Sequence, residues 1–227
     1  GGEGTAAVGP DGAPLAWIST DGAQPISPAR IVPWQNASRL IRFPWDLLAV
    51  NEELVGALQV DEIHGVVRPG VTIDGHVVVG PGTVLLPGVY LEGNVMIGRD
   101  CRIGPNCYLR GNTAIGDNCH IGQAVEIKNS ILMNGVGAGH LSYVGDSIIG
   151  VRANLGAGTV TANFRHDGLL HRSLVEGALV DTGRRKLGAI IGDGVHTGIH
   201  TAIYPGRKLW PGVATLPGQV VQRDLMS

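Results

Sequence analysis

The chain has 227 residues, enough to bury a core, and a formal net charge of −2, so no broad basic surface invites nucleic acid or an acidic membrane. Its 36 glycines and 13 prolines accompany 44% hydrophobic residues, which excludes a disordered profile and predicts tight turns repeated many times. No run approaches the ~20 apolar residues of a membrane span, and no secretory signal is visible.

The chain opens Gly-Gly without an initiator Met, as a processed or truncated product would. In "TAAVGPDGAPLAWI" two apolar runs flank a Pro-Asp-Gly turn and predict a hairpin. "PWDLLAVNEELVGAL" has helical apolar spacing, with Pro44 just ahead of it and Asp46 in its first turn. Residues 1–65 therefore read as an N-terminal hairpin and linker helix, separate from the rest of the chain.

From Val67 a six-residue beat takes over and defines a second region, 66–227. Val67, Ile73, Val79, Leu85, Leu91, Ile97, Ile103, Leu109, Ile115, Ile121, Ile127 and Met133 are all aliphatic. Two residues before each beat stands a small or β-branched residue, from Val71 through Cys101, Cys107 and Cys119 to Ile131. Neither a helical period nor simple alternation produces this pattern, whereas hexapeptide repeats do. Each hexad makes one short strand and a turn, and three close a triangular coil. Large residues point inward, small ones fit the corners, and positions about eighteen apart stack in parallel.

All three cysteines lie on the small-residue register, so they read as core filler and not as a metal site. Cys101 and Cys119 are expected one coil apart, with Cys107 on another face. An odd number of cysteines without a C-x-x-C pair fits a reducing cytosol, and a cytoplasmic location is expected.

The beat fails at "GAGHLSYVGD": Gly139 falls where an aliphatic residue is due, and His140 and Tyr143 follow at once. The break is expected to turn both outward into a cleft. The beat resumes at Ile149, Leu155 and Thr161, lapses over 162–188, and returns from Ile191 through Thr197, Ile203, Leu209 and Thr215 to Val221. The lapse is too long for a turn and predicts one long loop excursion from a corner of the prism.

Over "VEIKNSILMNGVGAGHLSYVGDSIIGVRANLGAGTVTANF" the chain resembles the acetyltransferase domain of the bifunctional glucosamine-1-phosphate acetyltransferase/N-acetylglucosamine-1-phosphate uridylyltransferases. The resemblance runs from about Arg110 to Arg223 and is densest over 125–164. The "PWDLL" segment and "GRRKLGAIIGDGVHTGIH" are similar to the archaeal-type sugar-1-phosphate nucleotidylyltransferase/acetyltransferases. The resemblance implies an all-β fold, a left-handed parallel β-helix, assembled as a homotrimer with active sites between neighbouring subunits. Its co-substrate would be acetyl-CoA, and no metal is expected. The handedness runs against the usual right-handed crossover and rests on the resemblance alone.

In the archaeal-type proteins a pyrophosphorylase domain precedes the "PWDLL" helix. Here it is missing or reduced to the hairpin, so uridylyl transfer is expected to be absent from this chain. The opening "GGEGT" does not serve as a nucleotidyltransferase glycine loop, because it lacks the preceding strand, the following Arg and the α/β domain that motif needs.

The resemblance also implies roles. His140 in "GHLSYVGD" matches the general base. Arg110 in "YLRG" and Lys128 in "EIKN" match the pair that holds the sugar phosphate, and their spacing stacks them on adjacent coils, where two like charges call for an anion. Tyr143, Asn154 and Asn163 match substrate contacts, Ala157 in "NLGAG" a backbone contact to the acetyl group, and Lys186 a lysine reaching over from the loop. Ile199 stands where the family has a CoA-contacting serine, Pro217 replaces a small residue near the CoA path, and the C-terminal arm is short.

The chemistry implied is acetyl transfer to the amine of an amino-sugar 1-phosphate, glucosamine-1-phosphate or galactosamine-1-phosphate. An imidazole accepts the amine proton near neutral pH, and backbone N–H groups stabilise the oxyanion. The alternative is a non-catalytic trimerisation or regulatory β-helix of a sugar nucleotidyltransferase. His196 and His200 are four apart, which means nothing outside a helix, and His166 and His171 lie in the excursion, so zinc catalysis is not expected.

Overall fold

The structure is a computed structural model that describes residues 4–8, 14–19, 30–33 and 41–226. The chain divides into two units, Gly1–Arg42 and Phe43–Ser227. In the first, β1 (Gly4–Val8) pairs antiparallel with β2 (Pro14–Ser19), the expected hairpin, whose Pro-Asp-Gly turn lies outside the described residues. A third strand, β3 (Arg30–Pro33), adds in parallel to β1. The sequence pattern does not announce it: four residues ending in proline carry little signal, though proline is tolerated at such an edge.

The second unit begins with the expected helix, α1 (Asp46–Gly56). Asp46 in its first turn accepts the Phe43 N–H at 2.9 Å. Leu48, Asn51 and Val55, spaced on one face, are buried. Asparagines strap the helix to the β-helix: the Asn51 side chain donates to the Asn112 carbonyl at 2.6 Å, and Asn94 donates to the carbonyls of Val55 at 3.0 Å and Leu58 at 3.2 Å. Asn94 thereby satisfies acceptors that a helix end leaves orphaned.

The remainder is a parallel β-helix of hexapeptide repeats, matching the left-handed type. Eight strands from Glu62–Ile63 to Lys208–Leu209 form the first face, six from Val66–Val67 to Asn154–Leu155 the second, and eight from Thr72–Asp74 to Val220–Val221 the third. The inward columns follow the hexad: Val79, Ile97 and Ile115 stack on the first face, Leu85, Ile103 and Ile121 on the second, and Leu91, Leu109 and Ile127 on the third. All are buried. Cys101, Cys107 and Cys119 occupy buried corners as free thiols, and the Cys119 N–H points at Cys101 Sγ, 3.4 Å away. Burial pushes the Cys107 thiol up to about 12, so it stays protonated and unreactive.

The beat slips earlier than Gly139. Ile115 pairs with Leu132, not Met133, and Ala138 and Val144 stack on Ile121 and Ile127. The cause is a corner one residue shorter. Arg110–Gly111–Asn112–Thr113 links third face to first in one coil, and Lys128–Asn129–Ser130 does so in the next, where Ser130 O accepts the Ala114 N–H. Leu132 therefore fills the core at 1% exposure, and Met133 packs outside it with Trp45, Leu48 and Leu187. Ser130, not Ile131, takes the small-residue corner. Gly139 is thus no gap in the core, since Ala138 holds the inward position.

The excursion, expected as a loop, carries an antiparallel hairpin of Arg172–Val175 and Ala178–Asp181. Its two-residue turn, Glu176–Gly177, has φ of 47° and 82°, the doubly left-handed turn that matches strand twist. The chain rejoins the stack as expected, Ile191 on Ile149 and Ile203 on Thr161. Among the described residues no helix is long and apolar enough to cross a membrane, and no group of His, Cys, Asp and Glu is placed to hold a metal ion.

The register makes Leu132→Ala the costly substitution. It should lose about 2–5 kcal/mol in urea unfolding, and Met133→Ala distinctly less. The reverse order would place Met133 in the core.

Candidate active site

The short corner gathers charge. Arg110 and Lys128 pair in register on the third face, as their spacing predicts. Neither charge is left for an anion alone. Arg110 Nε donates to Glu126 Oε1 at 2.8 Å, and Lys128 Nζ to Asp146 Oδ2 at 2.8 Å. The second pair is deep, its side chains 16% and 3% exposed. Each of the two stacked cations is compensated by a carboxylate of the same chain, a pairing the spacing alone does not reveal.

Asp146 is the hub. It follows the strand Tyr143–Gly145 in the second short corner, with φ of 48° and its N–H bonded to the Lys128 carbonyl. Besides Lys128 it accepts from Asn129 Nδ2 at 2.9 Å and Asn163 Nδ2 at 2.6 Å. Asn163 also donates to the Tyr143 hydroxyl at 3.1 Å. Gly145 leaves room for this contact: a Cβ there would lie 2.4 Å from the hydroxyl and push the Tyr143 and Asn163 side chains aside. Burial, with the negative charges of Glu126 and Asp146, raises the Tyr143 phenol above its usual range.

The network continues outward. Asn129 Nδ2 donates to Glu52 Oε1 of α1 at 2.7 Å, and Glu52 pairs with Arg184 of the excursion. Burial pushes the Glu52 carboxyl up, but the hydrogen bonds from Arg184 and Asn129 outweigh it and hold the group below its usual range. Helix, short corners and excursion are thus joined by one chain of polar contacts.

His140 lies at the other edge of the third face. The strands His120–Gln123 and Gly137–His140 run four residues each and pair Gln123 with His140. They pack so closely that a Cβ on Gly122 would come within 1.9 Å of the Gly139 carbonyl oxygen. Corner bonds from Leu141 N to Gln123 O, Gly158 N to His140 O, His200 N to Ala157 O and Gly218 N to Ile199 O stack Gln123, His140, Ala157, Ile199 and Pro217 in one column. His140 and Ile199 are exposed, and Leu141 directly after the histidine is held at φ 52°, a strained conformation for a leucine.

Of the residues singled out by sequence, Lys128 and Asn163 meet at Asp146, Tyr143 joins them through Asn163, and Arg110 is paired with Glu126 on the same face. His140 and Ala157 form the separate column. Asn154 is exposed on the second face, paired with Gly137, and Lys186 is exposed on the excursion, paired with Phe164. Sequence reasoning gave no role to Asp146, Glu126, Asn129, Glu52 or Arg184. The first three lie within or beside the motifs "EIKN" and "GHLSYVGD", whereas Glu52 and Arg184 are 132 residues apart and carry no local signal of each other.

A parallel β-helix built on this six-residue beat defines a hexapeptide-repeat protein. The family model described as the GMPPB C-terminal domain matches residues 91–204, half of the sequence, and the chain belongs to that family. It is 42% identical over 182 residues to a bifunctional sugar-1-phosphate nucleotidylyltransferase/acetyltransferase of Sulfurisphaera tokodaii, covering 80% of this chain and 45% of that one. It is 53% identical over 169 residues to the bifunctional protein GlmU of Methanococcus maripaludis, covering 74% and 41%. The chain spans less than half the length of these curated relatives. Among solved structures it is similar to a UDP-N-acetylglucosamine acyltransferase from Campylobacter jejuni, at 12% identity and a TM-score of 0.42 over 73% of this chain and 68% of that one, too distant to add to the assignment.

The link between helix and excursion has a measurable signature. A double-mutant cycle of Glu52→Gln and Arg184→Gln should give a coupling of about 1 kcal/mol at neutral pH. Because the folded carboxyl is held low, this stability is present above the unfolded glutamate range and is lost as pH falls through the folded value. A coupling that persists in strong acid would contradict the pairing.

Proposed function

We propose that the chain transfers the acetyl group of acetyl-CoA to the amine of an amino-sugar 1-phosphate, glucosamine-1-phosphate or galactosamine-1-phosphate. The observation that carries this reading is the placement of His140 and the ion-paired corner at the two edges of the third face, flanking the three-residue strand Tyr143–Gly145. The names of the relatives point the same way.

Such an acceptor is a zwitterion, with an ammonium and a phosphate. A corner holding Arg110 and Lys128 beside Glu126 and Asp146 offers both signs at once. Arg110 and Lys128 take the phosphate, joined by Lys186, and Tyr143, Asn154 and Asn163 orient the sugar. The ammonium first gives one proton to solvent; His140 then accepts a proton from the neutral amine as its nitrogen attacks the thioester carbon, and the backbone at Ala157 stabilises the oxyanion. The C–N bond forms, the C–S bond breaks, and the proton passes from His140 to the departing thiolate. The products are the N-acetylated sugar phosphate and free CoA.

Exposed Lys186, together with exposed Leu169, Leu170, Leu174 and Leu179 on the excursion, supports a homotrimer in which a neighbour completes the site. A cytoplasmic setting accompanies this reading. Ile199 and Pro217, in the same column as His140 and Ala157, favour a second reading: a β-helix that serves a nucleotidyltransferase as a trimerising or regulatory part without catalysis.

Thiol release from acetyl-CoA, with each amino-sugar phosphate as acceptor, separates the two. Acceptor-dependent release should fall by ~10²–10⁴-fold in His140→Ala. Arg110→Ala should raise the acceptor KM and leave that for acetyl-CoA unchanged. No release with either sugar from a folded protein would select the non-catalytic reading.

A further inference from the structure

A second group of cations stands at the foot of the excursion. Arg165, His171, Arg172, Tyr204, Arg207 and Gln222 wall a cleft of about 230 Å³. Arg165 is held by Asp167, which accepts its Nε at 2.8 Å. Arg172 and Arg207 form no ion pair among the described residues. Asp181, opposite Arg172 in the hairpin, accepts the Gly183 N–H, and Arg207 Nε donates to the Pro205 carbonyl at 3.3 Å. His171 is 2% exposed, and its Nε2 has no hydrogen-bond partner. A buried unpartnered nitrogen is rare and requires an explanation.

A larger cleft of about 490 Å³ adjoins this one and shares Arg165, Tyr204 and Pro205 with it. Phe164 and Tyr204 line it, 44% and 49% exposed, and Arg185 lies over the Phe164 ring at 5.8 Å. Two exposed aromatic rings beside unpaired guanidinium groups form a stacking surface next to an anion cradle.

We propose that the two clefts together bind a nucleoside phosphate, the phosphate between Arg172, Arg207 and His171 and the base against Tyr204 and Phe164. Guanidinium forks match phosphate oxygens in pairs. Burial, with Arg165 and Arg207 nearby, holds the His171 imidazole below its usual range. The Nε2 atom has no partner in the protein, and a phosphate, with oxygens that accept and a hydroxyl that donates, satisfies either tautomer. None of the cleft residues is given a chemical role in the acyl transfer proposed above, and titration reads binding and not turnover, so either proposal can fail without the other.

Isothermal titration with adenosine 5′-monophosphate, adenosine and inorganic phosphate tests the site. The nucleotide should bind at least tenfold more tightly than either fragment. Arg172→Gln combined with Arg207→Gln should lose at least tenfold, and Tyr204→Ala should bring the nucleotide down to the level of phosphate. Arg68→Gln, on an early coil, should change nothing, and far-UV circular dichroism checks that each variant is folded. Adenosine binding as well as its monophosphate, or full affinity in the double arginine variant, would overturn the proposal. Displacement of the nucleotide by acetyl-CoA assigns the site to the nucleotide end of the coenzyme, and no displacement assigns it to a free nucleotide.

Discussion

Every coil of the β-helix must hydrogen-bond to the coil before it, and this stacking governs the rest of the molecule. A strand in the middle of a face has no freedom to slide, because a one-residue shift would turn its inward aliphatic side chain out to solvent. Any gain or loss of residues is therefore confined to corners. The chain uses that freedom in both directions, removing a residue at Lys128–Asn129–Ser130 and again at Gly145–Asp146–Ser147, and inserting the whole excursion after Thr161. All of these changes fall at the junction of the third face with the first, and the charged groups collect there.

The short corner has an electrostatic consequence. It brings the carboxylate of Asp146 to 3% exposure, where an uncompensated charge would be strongly unfavourable. One cation and two amide donors, Lys128, Asn129 and Asn163, surround it, and each belongs to a different coil or corner from its own. A buried ion pair of this kind adds little net stability over apolar packing, but it tolerates few alternative arrangements. Through Asn129 and Glu52 the same requirement reaches α1, and through Arg184 it reaches the excursion. The elements outside the β-helix are held by the polar order of this corner as well as by the apolar cluster of Trp45, Leu48, Ile148 and Leu187.

The same constraint decides how much of the fold and site is legible in the sequence. The hexad is readable because each coil repeats one environment, so Val79 to Ile127, the three cysteines and the return from Ile191 to Val221 fall where the beat puts them. The slip is not readable. Ile131, Leu132 and Met133 are all apolar, and either register satisfies the pattern until backbone bonds choose one. The excursion hairpin is hidden within an irregular stretch, although "RSLVEGALVD" has the alternation and the turn of one. The charges at Arg110 and Lys128 are visible, but their partners are not, since Glu126 and Asp146 meet them only when neighbouring coils stack.

The two edges of the third face answer to different chemistry. The edge with Arg110, Lys128 and Asp146 is built from paired charges, each cation held by a carboxylate of the same chain. At the edge with His140, the imidazole is exposed and the next residue, Leu141, is held in a left-handed backbone. Strain of this kind persists only where the surroundings over-determine it, and here the stacked corner bonds above and below His140 do so. The backbone at this corner is fixed while the imidazole itself is left exposed and unpacked. Ile199 and Pro217 stand further along the same column, on the opposite edge of the face from the paired charges. In the acetyl transfer proposed above, acceptor and donor would therefore be recognised at opposite ends of one strand of three residues.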